Sequence, residues 1–124
     1  MNTSQPSIQE TIEELMSHYG RENRWEAIYL FSTDGFPMAS YTRAGCYDDS
    51  TLLEFSFSLF KTVSLLDSSQ NTHEITVQGK KGRLLIFRYF TAWNECLILA
   101  AVTTGEKGYK RAMNNLVKTI SQLS

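Results

Sequence analysis

The sequence predicts an α+β fold in which a five-stranded antiparallel sheet is sandwiched between helices, in the order α-β-β-α-β-β-β-α. The first observation behind this prediction is the segment AIYLFSTDGFPMASY, residues 27–41, in which two apolar runs flank an Asp-Gly pair. That pattern is typical of a β-hairpin. The second is the pair of runs LLIFRYF and CLILAAV. Nearly continuous apolar runs indicate strands that are covered on both faces, so we expect helices on each side of the sheet.

Length and composition indicate one globular domain over residues 1–124, with residues 1–6 as a disordered tail. Of the residues, 42% are hydrophobic and 20% are charged, which is ordinary for a packed domain of this size. The formal net charge is −1, so no overall field would attract nucleic acid or an anionic membrane. There is no run of about eighteen apolar residues and no cationic, apolar leader. We therefore expect a cytoplasmic protein.

The outer helices and the strands follow from periodicity and turn signals. Ser7 and Glu10 have the spacing of a capping box, and an apolar stripe then predicts a first helix over 7–20 that stops at Gly20. A stripe at spacings of three and four predicts the last helix over 108–123. The predicted strands are 25–32, 36–42, 72–78, 83–91 and 95–103, with turns at Asp34-Gly35 and at residues 79–82 and a loop over 42–49.

A long middle helix is predicted over 49–66, where Thr51 and Glu54 again have capping-box spacing. Its apolar residues cover most of the circumference, so it is expected to be buried on more than one side, and a domain this small favours burial between two chains. One row should face the sheet and the other a partner, and the spacing does not say which. The first row is Leu52, Phe55, Leu59, Val63 and Leu66, and the second is Leu53, Phe57 and Phe60.

The residue types that could carry chemistry do not form a recognisable constellation. His18 and His73 have no second ligand at metal-binding spacing. Asp48 and Asp49, just before a predicted helix, are more typical of helix caps than of an acid/base pair. The loop 79–82 lacks the spacing of a phosphate-binding loop. We therefore predict that the protein is not an enzyme and has no catalytic, cofactor-binding or metal site.

The chain resembles the roadblock family, also called the dynein light-chain roadblock type, over essentially its whole length. The residues that carry the resemblance are IYLFSTDGFPMASY, the position of the middle helix, and LILAAVTTGE before the last helix. Bulky Phe36 and Met38 and the Phe-rich middle helix depart from the family pattern. The resemblance implies a profilin-like fold and a non-enzymatic binding module. Bacterial and archaeal relatives, including the MglB type, are associated with small Ras-like GTPases as regulators or scaffolds.

The resemblance also implies dimers that join edge to edge through the third strand, with their middle helices side by side. The third strand is the least apolar of the five and a plausible edge, and an unpaired edge is a template for another chain. We therefore expect a homodimer that binds a small Ras-like GTPase and neither nucleic acid nor a membrane. The interface is predicted at Leu52, Phe55, Leu59, Val63, Leu66, His73, Ile75 and Val77.

Two residues are candidates for contact with the GTPase or another partner. Arg43 could act as an arginine finger or be an exposed loop arginine. Trp93, at the turn between the fourth and fifth strands, could fold back on the core or form a binding anchor. The alternative function is a small-ligand sensor of the PAS or GAF kind, with its pocket between the middle helix and the sheet. The uninterrupted middle helix argues against this alternative, because such domains usually contain several short helices there.

Overall fold

The computed structural model describes residues 7–32, 37–43, 73–79, 82–104 and 108–123, and within 44–72 it describes residues 54, 58, 59, 61, 62 and 65. These last residues are helical, and we keep the name middle helix for their segment. The remaining elements are α1 (Ile8–Asn23), β1 (Ala27–Ser32), β2 (Pro37–Thr42), β3 (Glu74–Gln78), β4 (Leu84–Ala92), β5 (Glu95–Thr103) and α2 (Lys110–Gln122).

The five strands form one antiparallel sheet with the order β2-β1-β5-β4-β3. β5 lies at its centre and pairs with β1 on one side and with β4, over its whole length, on the other. β2 and β3 are the two edges. The predicted fold class and five-stranded antiparallel sheet are confirmed, and the elements that the structure describes follow the predicted order.

Both faces of the sheet are covered, as the apolar runs indicate. Every residue of β1 is buried, and so are residues 97–103 of β5. Alternate residues of these strands belong to two separate clusters. The first cluster packs against α1 and α2 and includes Ile12, Met16, Ile28, Leu30, Ile86, Leu97, Leu99, Met113, Leu116 and Ile120. The second cluster lies on the opposite face and consists of Ala27, Tyr29, Phe31, Phe87, Ile98, Ala100 and Val102, with Leu59 of the middle helix packed against it.

The end of α1 differs from its prediction, because the helix does not stop at Gly20 and continues to Asn23. Gly20 is buried, and a methyl group at its Cα would collide with the ring of Tyr41 on β2. The glycine therefore allows the close approach of helix and strand and does not end the helix. Arg24 ends it in the left-handed conformation, with φ 57°.

At the other end of α1 the predicted capping box is confirmed. The Ser7 hydroxyl accepts a hydrogen bond from the Glu10 amide at 3.1 Å, and the Glu10 carboxylate accepts one from the Ser7 amide at 3.2 Å. The Asp34-Gly35 turn and the Thr51 cap lie outside the described residues. The turn between β4 and β5 is described, and Trp93 and Asn94 both have positive φ, as a two-residue hairpin of type I′ requires.

The contact between Gly20 and Tyr41 gives a stability prediction. We expect Gly20→Ala to lower the free energy of unfolding by about 1–3 kcal/mol, because the added methyl group overpacks the helix–strand contact. Urea denaturation measures the change. Gly108→Ala is the matched control, since a Cβ at exposed Gly108 meets nothing within 4 Å. Equal free energies of unfolding for the two variants would contradict the packing role of Gly20.

Candidate protein-interaction surfaces

The edge strand β3 has one side bonded to β4 and one side open. The Tyr89 amide donates to the His73 carbonyl at 2.8 Å, and the Gly79 amide donates to the Arg83 carbonyl at 2.7 Å. Because backbone groups alternate in direction along an antiparallel strand, residues 73, 75, 77 and 79 are directed toward β4. The N–H and C=O groups of residues 74, 76 and 78 are therefore directed toward the open edge, where they can accept a further strand.

The two faces of β3 contact different layers of the molecule. Ile75 and Val77 are half-buried and pack against the second cluster, on the same face as Leu59. Glu74 and Thr76 lie on the opposite face, where both contact the hydroxyl of Tyr109, which directly precedes α2. The open edge therefore has the second cluster on one face and the start of α2 on the other.

An ion pair fixes this edge strand to β4 and α2. Arg88, in the middle of the apolar run of β4, donates to Glu74 Oε1 from Nε at 2.9 Å and from Nη2 at 2.5 Å. Its Nη1 donates to Asn114 Oδ1 of α2 at 2.8 Å, and Tyr109 Oη donates to the second Glu74 oxygen at 2.9 Å. The side chains of Arg88 and Glu74 are only 12% and 13% exposed. Removing one charge would leave the other poorly compensated.

The pKa of Glu74 reflects two opposing causes. Burial raises it, whereas hydrogen bonds from Arg88 and Tyr109 and the charges of Arg88 and Lys110 lower it by more, so the net pKa lies below the ordinary value. Glu74 therefore stays ionised at neutral pH and keeps its charge-assisted bonds to Arg88.

The structure describes four of the eight residues predicted at the dimer interface. His73 is exposed just before β3, Ile75 and Val77 belong to β3, and Leu59 is half-buried against the sheet. Leu65, also on the middle helix, is 86% exposed. The other four predicted interface residues, Leu52, Phe55, Val63 and Leu66, lie outside the described residues.

Arg43 and Trp93, the two predicted partner contacts, lie on different elements. Arg43 is exposed just after β2, and its amide donates to the Glu26 carbonyl at 2.8 Å. Trp93 is half-buried, packs against the first cluster and donates its indole N–H to the Leu123 carbonyl. Trp93 thus ties the β4–β5 turn to the end of α2, and a docking role for it stays a prediction.

A groove at the end of α1 was not anticipated from the sequence. The groove has a volume of about 280 Å³ and is lined by Gly20 and Arg21 of α1, by Arg24 at its cap, by Tyr41 of β2 and by Arg43, which follows β2. The arginines are separate in the sequence, and the antiparallel pairing of β2 with β1 is what carries Arg43 to the end of α1.

Within the described part of the chain, no helix has the length and apolar character to cross a membrane.

The Glu74–Arg88 pair gives a pH prediction. Because the pKa of Glu74 is lowered by folding, its charge stabilises the fold above its ordinary value of 4.5, and this contribution is lost as the pH falls through the folded-state pKa. We expect Glu74→Gln to lower the free energy of unfolding at neutral pH by about 1–2 kcal/mol, and by less in acid. Urea denaturation across pH measures this. Exposed Glu22→Gln is the control, and an equal pH dependence in both variants would contradict the role of Glu74.

No protein-family model matches this chain, and a search of curated proteins found no significant match. Solved structures do match. MglB from Myxococcus xanthus has a TM-score of 0.71 at 10% identity, covering 98% of this chain and 89% of that one. The gliding protein MglB from Thermus thermophilus has a TM-score of 0.71 at 16% identity, and the match covers 97% of this chain and 90% of that one. A Roadblock/LC7 domain from Streptomyces avermitilis has a TM-score of 0.66 at 18% identity, and the match covers 87% of this chain and 92% of that one. This chain therefore has the fold of the MglB and Roadblock/LC7 domain structures.

Proposed function

We propose that this protein is a non-enzymatic, cytoplasmic binding module that forms a homodimer and acts as a regulator or scaffold of a small Ras-like GTPase. The observation that carries the proposal is the likeness of fold to MglB, over nearly the whole length of both chains. A further similar structure, with a TM-score of 0.69 at 18% identity, is of MglB with a tetrameric arrangement, so oligomers are built from this fold. The GTPase partner follows from the resemblance to the roadblock family.

The proposed dimer joins two copies through the open edges of β3. A two-fold axis at Thr76 would place Glu74 of one copy opposite Gln78 of the other, so that all the outward backbone groups of β3 find partners. The two sheets would then become one. The exposed edge, which is otherwise a liability for uncontrolled association, would be used for a defined interface.

The middle helix lies on the face of β3 that carries Ile75 and Val77, so joining the sheets would bring two middle helices together. The exposed side chain of Leu65 is apolar surface that a second copy would cover. Leu59 packs against the second cluster of its own copy. The face of the middle helix that meets the partner stays a prediction, because the other residues of both rows lie outside the described residues.

The dimer is tested by removing one outward amide. We expect Thr76→Pro to convert the dimer, with a mass near twice 14.2 kDa, into a monomer, because proline has no N–H to give to the second strand. Thr76→Ala is the matched control, since it loses the same hydroxyl contact with Tyr109 but keeps the amide. Light scattering over a dilution series measures the mass, and circular dichroism confirms folding. A dimeric, folded Thr76→Pro variant would exclude the β3 edge from the interface.

The GTPase role is tested with Ras-like GTPases encoded in the same genome. We expect the wild-type dimer to form a complex with one of them when it is loaded with GTP, and a weaker complex or none when it is loaded with GDP. Light scattering of the mixtures measures the complex, and GTP hydrolysis with and without the protein separates a regulator from a scaffold. If the protein forms no complex with any of these GTPases in either nucleotide state, the proposed partner is wrong.

A further inference from the structure

The groove at the end of α1, which we call the arginine groove, concentrates positive charge in a chain whose net charge is −1. Arg21, Arg24 and Arg43 line it, and all three are exposed. The remaining lining residues are Gly20 and Tyr41, so no carboxylate among the described residues lines the groove. Three arginine residues thus line one opening of about 280 Å³.

Among the described residues, none of the three arginines forms an ion pair. Arg21 also lines a second groove with Glu10, Glu13 and Glu14, so acidic side chains lie near one of the three. Glu26 accepts the Arg43 amide through its carbonyl, and its carboxylate lies 3.2 Å from Arg83. The end of α1 itself favours nearby cations, which accounts for one or two arginines at a helix terminus. It does not account for Arg43, which directly follows β2.

The backbone of Arg24 gives an independent observation. This residue has φ 57°, a conformation in which glycine is the favoured residue and an arginine costs free energy. The position is the C-cap of α1, where glycine is common. Its side chain is exposed, so the cost is not offset by burial in the core. An arginine at such a position is explained if its charge has a role.

We propose that the arginine groove binds an acidic segment of a partner protein, a stretch with several Asp or Glu side chains. Guanidinium groups bind carboxylates with paired hydrogen bonds, and three of them can engage successive carboxylates of one segment. A single phosphate is less well matched. Compact phosphate sites use backbone amides at a helix N-terminus, whereas the groove is formed at a helix C-terminus. The amides of Arg24 and Trp25 there are already bonded to carbonyls of residues 20 and 21.

The position of the groove is compatible with the proposed dimer but does not depend on it. It lies beside β2, and β2 and β3 are opposite edges of the sheet. Two copies joined through β3 would therefore carry one open groove at each end of the combined sheet. A monomer would carry the same groove, so binding of an acidic segment and binding of a GTPase can fail separately.

The test uses a fluorescent polyglutamate peptide as the probe and full-length protein at low ionic strength. We expect the wild type to raise the anisotropy of the peptide, and the double variant Arg24→Glu/Arg43→Glu to bind at least about tenfold more weakly, because two ion pairs become repulsions. The matched control is Lys118→Glu, an exposed charge reversal on α2. Salt should weaken the binding, since the Debye length falls to about 8 Å at 0.15 M.

Two further measurements keep the proposal falsifiable. Arg24→Gly should raise the midpoint of thermal unfolding, because glycine adopts the left-handed conformation at lower cost in free energy. The same variant should weaken peptide binding, because it removes one positive charge from the groove. The proposal is overturned if the wild type does not bind the peptide, or if the double variant binds as well as Lys118→Glu. If inorganic phosphate displaces the peptide and chloride at the same ionic strength does not, the ligand of the groove is phosphate, and the proposal of an acidic segment is overturned.

Discussion

Burial of β5 on both faces is the constraint from which the rest of the architecture follows. A strand that is apolar on both sides must lie inside the sheet and must have a layer of helix on each face. Residues 97–103 are all buried, and they contribute alternately to the two clusters. α1 and α2 cover one face, and Leu59 of the middle helix packs on the other. With β1 and β4 flanking β5, only β2 and β3 remain as edges.

The two edges are treated differently, and that difference separates the two candidate interaction surfaces. β2 lies against α1 through the close contact of Gly20 with Tyr41, so its end is fixed beside the arginine groove. β3 is short and keeps its outward backbone groups open. The Glu74–Arg88 pair holds that edge in register with β4 and α2. A partner strand would therefore meet an edge that is already ordered, which lowers the entropic cost of pairing.

The fold could be predicted from the sequence because its main signals are local. The capping box at Ser7 and the apolar runs of β4 and β5 each determine a nearby structure, and their order along the chain then predicts the fold class. The predicted end of the first helix at Gly20 was wrong, because the role of Gly20 depends on its contact with Tyr41, which is distant in the sequence. The arginine groove could not be predicted for the same reason. Arg88 did carry a signal, because a charge within an apolar strand requires a partner, but the sequence does not identify Glu74 as that partner.

Residues with a left-handed backbone set Arg24 apart from the rest of the described chain. In the described part of the chain, the non-glycine residues with positive φ are Arg24, Trp93 and Asn94. Trp93 and Asn94 form the tight turn of a hairpin, and Trp93 is also held by core packing and by its bond to Leu123. Arg24 is exposed and gains no such packing, although its amide caps α1. A glycine would cap the helix equally well at lower cost, so the arginine is best explained by the charge that it brings to the groove.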